Sequence, residues 1–183
     1  MFGVHAMIIR LLGALILVSL LALPASAAEL RLTVKGVRSD RGEILIALYD
    51  NAEGFANAIA KAATRGLVPD TGRLIGTSMR AKAGTQSTVF TQLPPGRYAV
   101  IVFHDENDNG RLDKDGFGVP TEGYGFGNDA QGLLGSPVFD AAAIAISDVG
   151  VSTSISLIYP REPSVKDESE YDQFIGKPNE PSR

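Results

Sequence analysis

The chain has 183 residues, with 17 Lys and Arg against 21 Asp and Glu, and a formal net charge of −4. This mildly acidic balance lacks the basic footprint of nucleic-acid-binding domains, so we predict no nucleic-acid partner. The sequence contains no cysteine. That excludes disulfides, thiolate metal sites, cysteine nucleophiles and the lipid-modified cysteine of a lipoprotein.

The first 27 residues have the organisation of a secretory signal peptide. Arg10 precedes an apolar run over residues 11–23, and residues 25–27 (ASA) form the small-x-small pattern that a signal peptidase recognises. This run is shorter than the ~20 apolar residues that a membrane-spanning helix needs. We therefore predict cleavage after Ala27, export to the periplasm or secretion, and no membrane span in the mature chain.

The first part of the mature chain predicts two strands and a helix. Residues 30–35 alternate apolar and polar side chains, which indicates a half-buried strand. Residues 43–49 (EILIALY) are apolar on both faces and are typical of a central strand. Between residues 51 and 64 the apolar positions share one face of a helix, and we predict a short helical insertion there. These positions are Phe55, Ile59, Ala62 and Ala63.

Strand patterns return at residues 73–82, 87–91 and 97–104. Residues 93–96 (LPPG) combine proline and glycine and predict a tight turn between the last two of these strands. Residues 105–138 are rich in Gly, Asp and Asn and show no periodicity.

The end of the chain predicts two further strands and a tail. The strands cover about residues 141–147 and 150–158, and residues 161–183 form a polar segment with little apolar surface to bury. About seven short strands with one short helical insertion predict an all-β fold over residues 28–160. We expect a single-domain β-sandwich, immunoglobulin-like or prealbumin-like.

The segment HDENDNGRLD over residues 104–113 carries oxygen-bearing side chains at alternate positions. It matches the first nine positions of an oxygen-ligand calcium loop, in which a chain that curls around the ion directs every second side chain inward. Gly110 permits the sharp turn of such a loop. The predicted Ca²⁺ ligands are Asp105, Asn107, Asn109, the carbonyl group of Arg111, and Asp113.

The match to a calcium loop is incomplete. Gly116 stands at the twelfth position, where a helical calcium hand has a bidentate Glu, so the further ligand stays open among Asp115, Glu122 and Asp129. The competing interpretation is a solvated acidic loop in which Asn and Asp satisfy turns. Residues 105–116 hold five acids and two bases, however, and a cation would relieve their repulsion. We predict a weak structural Ca²⁺ site, with a Kd on the order of 10⁻⁴ to 10⁻³ M.

His104 is the single histidine outside the predicted signal peptide. It continues the strand face of Tyr98, Val100 and Val102, so we expect a hydrogen-bonded structural residue rather than a metal ligand or a catalyst. Zinc would need carboxylate ligands almost alone, because the chain has no thiol.

Three segments together resemble a known family. The segments LPPGRYAVIVFHDENDNGRLD, GFGVPTEGYGFGND and PVFDAAAIAI are similar to the exported bacterial domain-of-unknown-function family 2141, over roughly residues 29–158. That family carries no established activity. The turn and the loop also resemble the prealbumin-like sandwiches of cell-wall adhesin repeats. This likeness implies a structural calcium role for Asp105, Asn107, Asn109 and Asp113.

Three functions follow from these patterns. The leading one is an exported, non-enzymatic module, stabilised by calcium, that binds an unidentified partner protein or supports the cell envelope. A hydrolase would use His104 as a general base near Asp105 or Glu106, or paired carboxylates to activate water, although the sequence has no G-x-S-x-G elbow. A small-ligand carrier would use a cleft walled by Tyr98, Tyr124 and Phe126. The sequence leaves the oligomeric state open.

Overall fold

The computed structural model describes residues 28–67, 72–132 and 135–160. The predicted signal peptide over residues 1–27 and the predicted tail over residues 161–183 lie outside the described residues. Within the described ranges, no helix combines the length and the apolarity that crossing a membrane requires.

The described residues form eight strands, two α-helices and one 3₁₀ turn. The strands are β1 (Ala28–Val37), β2 (Glu43–Tyr49), β3 (Leu74–Arg80), β4 (Gly84–Leu93), β5 (Gly96–Asp105), β6 (Gly123–Phe126), β7 (Ala143–Ile146) and β8 (Val151–Ser156). The helices are α1 (Ala52–Arg65) and α2 (Phe139–Ala142), and the 3₁₀ turn covers Gly127–Asp129.

The strands form two sheets. The three-stranded sheet has the order β4-β1-β8, with β1 antiparallel to β4 and parallel to β8. The five-stranded sheet has the order β3-β2-β5, and both β6 and β7 pair antiparallel with the remaining edge of β5. The prediction of an all-β sandwich is confirmed.

The main core lies between the two sheets because the strands present alternate apolar side chains there. Strand β1 contributes Leu30, Leu32 and Val34, all fully buried. These three pack with side chains of β2 and β5, which face them from the other sheet: Ile44, Ile46, Leu48, Val100 and Val102.

A second core covers the outer face of the five-stranded sheet. Helix α1 buries Phe55, Ala58 and Ala62 there, and the Phe55 ring contacts the Tyr49 ring edge-on at 6.4 Å. Strands β2 and β5 are therefore buried on both faces, as the apolar sequence of β2 predicted. Asn51 caps the helix by accepting a hydrogen bond from the N–H of Gly54 at 2.8 Å. The predicted helical insertion is confirmed, one residue later at each end.

The structure has one strand more than the seven segments that the sequence pattern indicated, and the additional strand is β6. It lies in the stretch without periodicity, because glycine alternates with aromatic residues and leaves no apolar alternation to detect. A Cβ atom on Gly125 would lie 2.7 Å from Cγ2 of Ile155. Close packing against β8 thus requires a glycine in this strand. The second short helix, α2, was also not predicted, and it occupies the start of the strand expected from residue 141.

The turn at residues 93–96 connects β4 to β5 and so crosses from one sheet to the other. The hydroxyl group of Tyr98 donates a hydrogen bond to the carbonyl of Pro94 at 2.9 Å, which braces this crossing. Tyr98 is buried between the sheets. It therefore does not wall a cleft with Tyr124 and Phe126, and the small-ligand hypothesis was wrong about this residue.

We predict that Tyr98→Phe destabilises the domain by about 1 kcal/mol, because it removes the hydrogen bond from this half-buried hydroxyl group to the Pro94 carbonyl. Urea unfolding monitored by circular dichroism measures the change. Tyr124→Phe is the matched control, and it is expected to change the stability by less than about 0.5 kcal/mol. Equal effects of the two substitutions would contradict the bracing role of Tyr98.

Candidate metal centre

The predicted calcium loop begins where the central strand β5 ends. Asp105 is the last residue of that strand and is only 2% exposed. Its Oδ1 atom accepts a hydrogen bond from the N–H of Asn109 at 3.0 Å, and its Oδ2 atom accepts one from the N–H of Gly110 at 2.6 Å. Gly110 has a φ of 74°, a conformation that favours glycine. The backbone thus curls around the Asp105 carboxylate.

Three further predicted ligands meet on the open side of this curl. The Nδ2 atom of Asn107 donates to Asp113 Oδ2 at 2.7 Å, and the Nδ2 atom of Asn109 donates to both Asp113 oxygens at 3.0 and 3.1 Å. Arg111 donates its backbone N–H to Asn109 Oδ1 at 2.8 Å. The structure therefore brings Asn107, Asn109 and Asp113 into contact, next to Asp105.

The donor chemistry of this loop fits a hard cation such as Ca²⁺ under one condition. Both asparagine amides now turn their NH₂ groups toward Asp113, so each amide would have to rotate to present its oxygen instead. Within the described ranges, no group of three or more His, Cys, Asp or Glu side chains is arranged to hold a metal ion. The asparagine oxygens would therefore be indispensable ligands.

Of the three open candidates, Glu122 contacts both ends of the loop. Its carboxylate accepts hydrogen bonds from the N–H of Glu106 at 2.8 Å and from the N–H of Asp113 at 3.0 Å. Asp115 instead accepts N–H groups two and four residues further along its own turn. Asp129 accepts an N–H of strand β8. Glu122 fastens both ends of the loop to the start of β6.

Burial raises the pKa of Glu122, and the nearby charges of Asp113 and Asp105 raise it further. The hydrogen bonds from the backbone N–H groups of Asp113 and Glu106 oppose this increase. The ionised form of Glu122 is therefore costly beside two other carboxylates. A cation among these groups would reduce that cost.

Arginines from other parts of the chain neutralise two acids of the loop. Glu106 forms ion pairs with Arg38 and Arg41, and Asp108 pairs with Arg80 at 2.9 Å. Both acids are among the five whose mutual repulsion a cation was expected to relieve. This expectation was wrong for Glu106 and Asp108, because arginines distant in sequence already pair with them. Only the other acids of the loop retain a repulsion that a bound cation would relieve.

The ion pair of Glu106 shifts its titration. The hydrogen bond from Arg38 lowers the pKa of Glu106 to about 2, and a hydrogen bond from the Ser39 hydroxyl contributes to the decrease. The Glu106 side chain is 9% exposed. Glu106 thus stays ionised at neutral pH and acts as an anchor for the first connecting loop.

His104 takes the structural place that its strand position predicts. It is fully buried, and its Nε2 atom lies 2.7 Å from the carbonyl oxygen of Arg41, which identifies Nε2 as the protonated nitrogen. Its Nδ1 atom lies 2.8 Å from the Tyr159 hydroxyl group and, in this tautomer, accepts a hydrogen bond from it. The N–H of Arg38 donates to the same hydroxyl at 3.2 Å. Both ring nitrogens are thus engaged within the fold.

Helix α1 supports the loop from its other side, which the sequence gave no sign of. The N–H of Leu112 donates to the carbonyl of Ala62 at 3.0 Å, near the end of the helix. A Cβ atom on Gly66, which follows the helix with a φ of 72°, would lie 2.1 Å from the carbonyl oxygen of Gly110. The close approach of helix end and loop depends on that glycine.

Two packed sheets with an oxygen-lined loop at the end of the central strand define a β-sandwich domain. The chain belongs to the family described as an uncharacterised protein conserved in bacteria, DUF2141, whose model matches residues 32–154. This confirms the family resemblance. No curated protein and no solved structure matches the chain. The likeness to prealbumin-like sandwiches therefore rests on the sequence pattern.

We predict that Glu106→Gln lowers the free energy of unfolding near neutral pH and that this loss is smaller at acidic pH. A group whose pKa is lower in the folded state stabilises the fold above its unfolded pKa of 4.5, and this contribution is lost as the pH falls toward about 2. The free energy of unfolding of the wild type is expected to exceed that of the variant by on the order of 1–3 kcal/mol near neutral pH. This difference should fall by about half near pH 3. Urea unfolding at both pH values measures it.

Glu29→Gln is the matched control for this pH experiment. Glu29 also pairs with an arginine, but both partners are well exposed, so solvent screens the pair. We expect little change in stability at either pH. A pH-independent difference between wild type and Glu106→Gln would contradict the role assigned to the Glu106 ion pairs.

Proposed function

We propose that this chain is an exported, non-enzymatic β-sandwich module that binds Ca²⁺ and acts by binding a partner protein or a component of the cell envelope. The observation that carries the calcium part is the convergence of Asn107 and Asn109 on the Asp113 carboxylate. This convergence takes place beside the buried Asp105 carboxylate. Asp113 is thus the point at which the polar side chains of the loop meet.

The oxygens of the loop would hold the Ca²⁺ ion. The ion would neutralise the negative charge of the carboxylates there and order the loop. Asp105 fixes the backbone curl through its two N–H contacts, and Glu122 fixes the distance between the loop's two ends. The metal ligands we assign are Asp105, Asn107, Asn109, the carbonyl of Arg111, and Asp113.

A structural rather than catalytic role is supported by the use of the available acids and of the histidine. His104 has both nitrogens in hydrogen bonds to the Arg41 carbonyl and to Tyr159, so it presents no free base to a substrate. Glu106 is held by two arginines. The hydrolase hypothesis, in the form that uses His104 as the base, therefore has the weaker support.

Export is supported by the organisation of the amino-terminal sequence, with Arg10 before the apolar run and the small-x-small triplet after it. A chain without cysteines gains no disulfide stabilisation outside the cytoplasm. A bound ion at the loop is one way to supply part of that stability.

We predict that Ca²⁺ raises the thermal midpoint of the folded domain. At about 1 mM Ca²⁺, a site with a Kd of about 0.1 mM adds roughly 1.4 kcal/mol, or about 3–7 °C for a domain of this size. Asp113→Asn should remove this increase, because it deletes one charge at the point where the asparagines meet. Differential scanning calorimetry with Ca²⁺ and with a chelator measures both midpoints.

Asp108→Asn is the matched control, with the same change of charge in the same loop. The Asp108 carboxylate is directed to Arg80, away from the proposed ion. This variant should retain the full increase with Ca²⁺. Equal midpoints of the wild type with Ca²⁺ and with chelator would refute the calcium site.

We also predict that the mature chain begins at Ala28. Intact-mass spectrometry of the protein recovered from the periplasm or culture medium of a bacterial host should give the mass of residues 28–183. A chain that is recovered only from the cytoplasm at full length would refute export.

A further inference from the structure

Strand β6 carries a motif that the calcium loop does not use. Residues 123–127 alternate glycine and aromatic side chains in the sequence GYGFG. A Cβ atom on Gly123 would lie 2.3 Å from the Tyr159 ring, and one on Gly127 would lie 2.1 Å from the Ala142 carbonyl oxygen. The glycines thus lie against the fold on one side. Because side chains alternate along a strand, Tyr124 and Phe126 project from the other side.

These two aromatic rings border a cavity of about 380 Å³, which we name the aromatic cavity. Their centroids are 5.8 Å apart in an edge-on arrangement. The volume lies within the range of about 300–1,000 Å³ that is usual for small-molecule sites. A second cavity, of about 240 Å³, adjoins the same two rings. The other apolar residues that line the aromatic cavity are Ala130, Pro137, Ile158 and Pro160.

One wall of the aromatic cavity is held in a strained conformation. Asn128 and Asp129 are consecutive non-glycine residues with φ values of 59° and 50°, and such conformations cost about 1 kcal/mol each. The Asn128 amide holds this turn by donating to the carbonyls of Ala141 and Ala143, both at 3.1 Å. The Asp129 carboxylate holds it by accepting the N–H of Ser156 at 2.7 Å. The wall is therefore preformed.

The charges around the aromatic cavity select against ions. Among the described residues that line it, Asp129 is the only charged side chain, and its carboxylate already accepts the N–H and faces the hydroxyl group of Ser156. An anionic ligand would meet a like charge and, among these described lining residues, no cation. A cationic ligand would compete with the hydrogen bonds that hold the wall. An uncharged ligand avoids both costs.

We propose that the aromatic cavity binds a small, uncharged molecule with a flat apolar body. Tyr124 and Phe126 supply an aromatic surface against which such a body packs, and Gln131 supplies an amide at the rim for one polar substituent. This proposal is independent of the calcium site and of export. Tyr124 and Phe126 line this cavity as the sequence predicted, whereas the turn that contains Asp129 lines it in place of the buried Tyr98.

Two fluorescent probes that share the same rings test the proposal. Phenylnaphthylamine is uncharged, whereas anilinonaphthalene sulfonate adds one negative charge, and both brighten in apolar surroundings. Titration of the purified folded chain should give saturable binding of the uncharged probe, with one probe per chain. The sulfonate should bind at least about tenfold more weakly.

Filling the cavity should abolish this binding. Ala130→Phe places a ring in the space, and Ile158→Phe narrows it from a second lining position that is already 39% exposed. Ala145→Phe is the matched control, because Ala145 is exposed on β7 and does not line the cavity. We expect the affinity for the uncharged probe to fall at least about tenfold in the first two variants and to be unchanged in the control.

Circular dichroism establishes which variants fold. If Ala130→Phe does not fold, the affinity of Ile158→Phe for the uncharged probe decides the test. Absence of saturable binding, equal affinity for the two probes, or unchanged affinity in the folded cavity variants would overturn the proposal. Asp113→Asn should bind the uncharged probe like the wild type. The thermal midpoint with Ca²⁺ therefore tests the calcium site, and the probe affinity tests the aromatic cavity, so that either proposal can fail without the other.

Discussion

Burial of strand β5 on both faces is the constraint on which the rest of the structure depends. This strand pairs with β2 along one edge and with β6 and β7 along the other, and it packs against the second sheet and helix α1. Its last residue, Asp105, is therefore an acid at the border of a core and must find hydrogen-bond donors there. The nearest donors are the N–H groups of Asn109 and Gly110, and reaching them curls the loop. The shape of the candidate metal centre thus follows from the position of the strand before it.

The same border also ties the ends of the described chain together. His104, directly before Asp105, links the carbonyl of Arg41 to the hydroxyl group of Tyr159. Arg38 stacks on the Tyr159 ring at 4.4 Å and pairs with Glu106. A buried histidine and a paired acid therefore fasten the connection after β1 and the segment after β8 to the central strand. Removing any one of these groups leaves a polar partner unsatisfied, so the network acts as a unit.

Strand β6 connects the two candidate sites. Glu122, directly before it, fastens the ends of the loop, while Tyr124 and Phe126 within it line the aromatic cavity. The glycines between them let the strand lie close to β8. The five residues 122–126 thus serve the loop, the packing of the sandwich and the cavity. This threefold use gives a physical reason for a sequence that has no simple hydrophobic pattern.

The amino-acid sequence was sufficient to determine the strands with clear alternation, the helix over Ala52–Arg65, the central place of residues 43–49 and the curl of the loop. Each of these features depends on residues that are close to one another along the chain. Tertiary structure alone decided which groups partner across long distances. It paired Glu106 with Arg38, and it placed Glu122 rather than Asp129 beside the loop. It also buried Tyr98 between the sheets, and it required a glycine at position 125. These outcomes depend on which backbones and charges the fold brings within a few ångströms, and no local pattern carries that information.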